Sequence, residues 1–84
     1  MKYSIKIVSK AEKDLDTITM HDFDAIKKKI LALSENPRPF GCKKLTADEG
    51  YRLRSGDFRI VYRIDDKARE VIIYRIKHRK DVYR

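Results

Sequence analysis

The stretch Gly50–Asp66, GYRLRSGDFRIVYRIDD, decides how this chain folds. Tyr51 to Arg54 alternates between ring or aliphatic and arginine, Ser55-Gly56-Asp57 has turn composition, and Phe58 to Asp65 alternates again. In the second run Phe58, Ile60, Tyr62 and Ile64 share one face, and Arg59, Val61 and Arg63 share the other. Period-two alternation on both sides of a glycine-bearing turn predicts an antiparallel hairpin. Asp66-Lys67-Ala68-Arg69 turns once more, and Glu70 to Lys77 reads as a further strand, so the second half of the chain is a meander of short connections.

Upstream of the meander, Tyr3 to Val8 also alternates, with Tyr3, Ile5 and Ile7 on one face, and predicts a strand. Ser9 with Glu12 three residues later has the form of a capping box, and Ala11, Leu15 and Ile18 then fall on one helical face. Met20-His21-Asp22 predicts a break, with Asp22 capping a second helix. That helix sets Phe23, Ile26, Ile30 and Leu33 against Lys27, Lys28 and Lys29, and Pro37 stops it at Asn36. Lys43-Lys44-Leu45 has room for a short strand before the acidic Asp48-Glu49 loop. The expected fold class is α+β: an N-terminal strand, a helical hairpin, then an antiparallel β-meander with the helices packed on one face of the sheet. Residues 1–84 form a single domain in this reading.

Composition limits the function. The 84 residues include 21 Lys and Arg against 13 Asp and Glu, a formal charge of +8, which points to a polyanionic or acidic partner. No apolar run approaches the roughly 18 residues of a membrane span, and the N-terminus lacks the form of a signal peptide. Cys42 stands alone, which fits a reducing cytoplasm. One Cys and two distant His, His21 and His78, give no basis for a metal site, and no cofactor is expected.

Strand parity places the charges. Alternation sends Leu53, Ile60, Tyr62, Ile72, Tyr74 and Ile76 towards the helices. In the last strand it leaves Val71, Ile73, Arg75 and Lys77 facing out. The outer face then gathers Arg52, Arg54, Arg59, Arg63, Arg75 and Lys77, six cations without an Asp or Glu. A solvated face whose long cations cover Val61 and Ile73 with their stems is the plain alternative. Such faces mix signs, however, and like charges directly opposite across strands are destabilising. Arginine outnumbers lysine five to one here, and arginine grips phosphate bidentately and stacks on bases. The terminal KHRKDVYR adds His78, Arg79, Tyr83 and Arg84, and an aromatic among cations suits single-stranded RNA.

Arg, Lys, Tyr and one His can promote attack by an RNA 2′-hydroxyl on its own 3′-phosphate, because the substrate supplies the nucleophile. Arginine stabilises the phosphorane but is a poor base, so proton transfer falls to Tyr83 or His78.

The pieces YRLRxGxxRxVY and HRxxVY, within GYRLRSGDFRIVYRIDD and VIIYRIKHRKDVYR, resemble the RelE/ParE family of toxins from bacterial toxin–antitoxin pairs, and the likeness covers nearly the whole chain. The RelE-like branch cleaves messenger RNA in the ribosomal A site without metal and leaves a 2′,3′-cyclic phosphate; the ParE-like branch poisons DNA gyrase. The resemblance implies catalytic roles for Arg52, Arg54, Arg59, Arg79 and Tyr83, and the basic face and tail read above add Arg63, Arg75, Lys77 and His78 as RNA-binding residues. It leaves the last basic position within Lys77-His78-Arg79, with Arg79 first and His78 next. It also implies mRNA on the ribosome as substrate and an acidic, partly disordered antitoxin as partner, which would fold across the sheet and the helices; the outward parity of Val61 and Ile73 offers it apolar anchors. A gyrase inhibitor and a noncatalytic nucleic-acid binder remain as alternatives.

Overall fold

The computed structural model describes residues 2–45 and 50–82, the side chains of 81 and 82 excepted. The Asp48-Glu49 loop, Tyr83 and Arg84 lie outside the described residues. Among the described residues eight elements follow one another: β1 (Ser4–Ile7), α1 (Ser9–Asp16), α2 (Met20–Glu35), β2 (Lys43–Lys44), β3 (Tyr51–Ser55), β4 (Phe58–Asp65), β5 (Glu70–His78) and α3 (Arg79–Val82). The sheet runs β1-β5-β4-β3-β2. β2 to β5 pair antiparallel in chain order, and β1 pairs parallel with β5, Ser4 opposite Glu70. This is the expected α+β arrangement, with helices packed against a mixed sheet.

The β3–β4 hairpin turns on Gly56 and Asp57, with Ser55 opposite Phe58. Gly56 has φ +59°, the left-handed backbone that a tight two-residue turn requires at its first position. The β4–β5 turn is held by the Ala68 N–H, which donates to the Asp65 carboxylate at 3.0 Å.

The helix starts differ from expectation. Val8, not Ser9, occupies the N-cap position of α1, with φ −72° and ψ 158°, and no side chain caps the helix. The reason is the sheet: the Val8 N–H donates to the Ile73 carbonyl at 3.1 Å, so the chain remains strand-like through Val8 and Ser9 becomes the first helical residue. Likewise α2 begins at Met20 after Thr19, so Met20-His21-Asp22 is helix and not a break. Asp22 sits in its first turn, where a carboxylate complements the helix dipole, and accepts from the Thr19 hydroxyl at 3.2 Å. The helix ends where Pro37 demands it, at extended Asn36 (φ −146°, ψ 100°).

The core consists of Ala11, Ile26, Ile30 and Leu33 from the helices and Leu53, Ile60, Tyr62, Val71, Ile73 and Ile76 from the sheet. Burying each large aliphatic among them contributes roughly 1.5–3 kcal/mol. Two of these residues correct the strand parity. Val71 and Ile73 were expected outside, yet both are 0% exposed. Ile72 and Tyr74, expected inside, are only half-buried. The cause is a β-bulge: Val61 stands opposite Arg75 while Tyr62 stands opposite Ile73, so Tyr74 has no partner in the ladder. The extra residue lets Val71 and Ile73 point inward before it and Ile76 point inward after it, while Lys77 keeps the outer face. Ile73 is therefore no surface anchor for a partner.

Two polar clusters hold the edges. β1 stops short of the upper half of β5, and α1 covers the exposed strand edge there. Asp14 accepts the Ile76 N–H at 2.9 Å and the Arg75 Nε–H at 2.8 Å. At the other end of the sheet, the loop after α2 is stapled down. The buried Tyr62 hydroxyl donates to the Pro37 carbonyl at 2.8 Å. Arg38 grips Asp66 with two guanidinium bonds of 3.2 and 2.9 Å and donates to the Tyr51 hydroxyl at 3.2 Å. Arg38 and the Tyr3 hydroxyl together hold the Asp66 carboxyl below its ordinary range.

Candidate functional site

The antiparallel registers assemble the cations in rows. Arg54 lies directly opposite Arg59, and Arg59 directly opposite Lys77, so three cations cross β3, β4 and β5 side by side. Two residues along the strands, Lys43 faces Arg52, Arg52 faces Val61, and Val61 faces Arg75. Residues directly opposite share a face, so both rows belong to the side of the sheet away from the helices. Opposed like charges cost a few tenths to about 1 kcal/mol per pair.

Two shallow concavities open over these rows. One, of about 250 Å³, is lined by Arg54, Gly56, Asp57, Phe58, Arg59 and Arg79. The other, of about 260 Å³, is lined by Gly41, Lys43, Arg52, Arg54 and Arg59. Arg54 and Arg59 line both, so the two form one continuous basic depression. Asp57 is the one acid among the described lining residues. Arg79 reaches the depression because its backbone N–H donates to the Asp57 carbonyl at 2.7 Å, tying the end of β5 to the β3–β4 turn.

The expected site residues thus divide. Arg52, Arg54, Arg59 and Arg79 come together, with Lys77 in the central row. Arg63 lies on the same face but further down, its guanidinium 5.1 Å from the Tyr74 ring centroid. Arg75 is drawn sideways to Asp14, an ion pair of 2.8 Å at the sheet edge. His78 stands opposite Phe58, on the strand parity of the core residues Ile60 and Ile76, and not with the cations. Its ring meets Phe58 edge to face with centroids 5.0 Å apart, and its Nδ1 accepts the Lys80 N–H at 3.1 Å. It shapes the exit from β5 and does not line either concavity. Tyr83 lies outside the described residues. Lys43 is the residue that sequence reasoning missed. Its strand was foreseen, but only the register opposite Arg52 shows which face it takes.

Among the described residues no group of three His, Cys, Asp or Glu side chains converges as a metal ligand set. Nor is any described helix long and apolar enough to cross a membrane, which says nothing of strands. What the depression offers chemically is a dense array of guanidinium and ammonium donors that suits phosphate.

Known proteins share this architecture. The family model described as the ParE toxin of type II toxin-antitoxin system, parDE, matches residues 5–83. Over 100% of its length the chain is 34% identical to the protein named toxin RelE1 of Methanocaldococcus jannaschii, covering 98% of that relative. It is 32% identical to toxin RelG of Mycobacterium tuberculosis, covering 100% of this chain and 99% of the relative. Among solved structures, the toxin–antitoxin complex RelBE2 from Mycobacterium tuberculosis holds a chain that matches with a TM-score of 0.84 and 28% identity, over 94% of this chain and 100% of that one. Family match, relatives and fold agree with the cationic sheet face: the chain belongs to the RelE/ParE family and is a RelE-like toxin of a toxin–antitoxin system.

Proposed function

We propose that the protein is a metal-independent endoribonuclease that cuts messenger RNA on the ribosome and so inhibits translation. The observation that carries this reading is the directly opposed row Arg54–Arg59–Lys77, flanked by Arg52 and Arg79 over one depression. A face that accepts such repulsion is built around an anion. In the reaction the RNA 2′-oxygen attacks the neighbouring phosphorus and the bond from phosphorus to the 5′-oxygen breaks, leaving a 2′,3′-cyclic phosphate and a 5′-hydroxyl. The proton of the 2′-hydroxyl passes to a base and the leaving 5′-oxygen takes one up. Arg54, Arg59 and Arg79 stabilise the extra charge of the phosphorane, and Arg52 and Lys77 hold flanking phosphates. With His78 turned to the core side, proton transfer is assigned to Tyr83. The ribosome supplies the alignment that so few bases on the protein require. The partner is a cognate acidic antitoxin that covers the cationic face; in support, the similar RelBE2 structure is a toxin–antitoxin complex.

Primer extension on a defined message, with and without ribosomes, tests the reading. Discrete ribosome-dependent cuts are expected, reduced about 10²–10³-fold by Arg59→Ala, the scale of losing one oxyanion donor, and strongly by Tyr83→Phe. Folded wild type that never cuts but arrests DNA gyrase would sink the nuclease reading. Cuts unchanged in both variants would sink the site.

A further inference from the structure

Below the central row, the same sheet face carries a second hollow that the cleavage chemistry does not use. Its volume is about 260 Å³, and Leu45, Val61 and Tyr74 form the apolar part of its lining. Arg63, Arg75 and Lys77 stand around it, with no Asp or Glu among the lining residues described. Lys77 belongs both to this hollow and to the row with Arg59, so the two sites are continuous. The hollow exists because of two backbone features. The β5 bulge takes Tyr74 out of the ladder and places it on this face, beneath the Arg63 guanidinium. Gly50 lines the floor, and a Cβ there would come within 3.3 Å of both the Leu45 side chain and the Tyr62 carbonyl oxygen.

An apolar floor with a cationic rim matches a nucleotide: a planar base below and its phosphates at the edge. Arginine planes and tyrosine rings are the surfaces on which unpaired bases stack. The hollow has the extent of a single ring and not of a groove for a helix. We propose that it is a nucleobase subsite, in which a base next to the cleaved phosphate stacks on the Arg63–Tyr74 pair while Lys77 spans base and phosphate sites. The inference rests on the nuclease reading and adds to it the means by which the strand is held in register. Tyr74 and Arg63 act in binding and touch no reacting atom.

The test uses ribosomes programmed with a message whose A-site codon carries 2′-O-methyl sugars, which block cleavage, and 2-aminopurine at one position at a time. Wild-type toxin is expected to quench the fluorescence at one position. Tyr74→Phe keeps a ring and keeps the quench. Tyr74→Leu loses it, and on a cleavable message raises the toxin concentration for half-maximal cutting about tenfold while the rate at saturation stays within about twofold. A thermal melt close to wild type establishes that Tyr74→Leu is folded; Arg63→Gln, at an exposed position, gives the same readout independently. Quenching that survives in both Tyr74→Leu and Arg63→Gln overturns the subsite. So does wild-type cleavage without quenching at any position. Loss of antitoxin affinity with unchanged RNA quenching overturns it in favour of a protein-binding surface. Wild type that neither cuts nor quenches overturns the nuclease reading itself, a different result from the others.

Discussion

Asp14 is expected to hold the upper edge of the sheet, and its replacement tests that directly. The carboxylate accepts the Ile76 N–H at 2.9 Å and Arg75 Nε–H at 2.8 Å where β5 has run past the end of β1. Asp14→Ala removes both and leaves a partly buried strand N–H without its acceptor. A hydrogen bond to a charged group contributes roughly 1.5–3 kcal/mol. The Arg75 side chain is 35% exposed, so its share is discounted towards the few tenths of a solvent-screened pair. The loss should be about 2–3 kcal/mol, or about 10–20 °C in Tm for a chain of this size. Asp14→Asn keeps an oxygen for Ile76 and should lose about 1 kcal/mol. The sign of the pH dependence follows from the shift. Burial pushes the Asp14 carboxyl up, but the Arg75 and Ile76 hydrogen bonds and the charges of Arg75 and Lys10 outweigh it and hold the carboxyl below its ordinary value. A depressed carboxyl contributes stability that is present above the unfolded value near ~4 and is lost as pH falls through the folded value. Urea unfolding at pH 7 and pH 2.5 should therefore show the gap between wild type and Asp14→Asn closing at the acid end. A gap of equal size at both, or a loss below about 0.5 kcal/mol for Asp14→Ala at pH 7, would refute the reasoning.

Three further substitutions test the interior. Tyr62→Phe removes the buried donor to the Pro37 carbonyl and should cost about 1–2 kcal/mol in denaturant unfolding without changing the secondary structure seen by circular dichroism. Ile73→Ala should cost about 2–4 kcal/mol and Ile72→Ala under about 1 kcal/mol, because the bulge buries the first and leaves the second half-exposed; the reverse order would restore the unbroken alternation.

The hairpin was legible because β3 and β4 carry apolar residues on one parity and arginines on the other, with Gly56 between them. β5 gave no such guidance. Val71-Ile72-Ile73-Tyr74 is apolar on both parities, so alternation alone permits either face, and the partner strand decides where the bulge falls. The helix faces were readable from Ala11, Ile26, Ile30 and Leu33, whereas the helix starts were not. Ser9 and Asp22 both have cap chemistry, yet the ladder bond from Val8 and the earlier start at Thr19 took precedence. In the site, Arg52, Arg54 and Arg59 followed from local alternation. Lys43 required a cross-strand register, whereas His78 shares the inward parity of Ile76, a signal hidden when it is grouped with the basic tail instead of with the strand. Arg75 was placed on the correct strand, but its attraction to Asp14 depends on α1 lying along the sheet edge, a contact with no local signal.

The parallel pairing of β1 with β5 bears on how the molecule is made. Ser4 to Ile7 are translated well before their strand partner, Glu70 to Ile73. With translation at roughly 5–20 residues per second, the first strand waits seconds beside a helical hairpin whose apolar face has no sheet to cover it. The cationic row is likewise incomplete until Lys77 is placed next to Arg59. A chain still being synthesised therefore holds neither a closed sheet nor an assembled anion site. The anion site and the closed sheet are thus completed by the same step, the docking of β5 against β4.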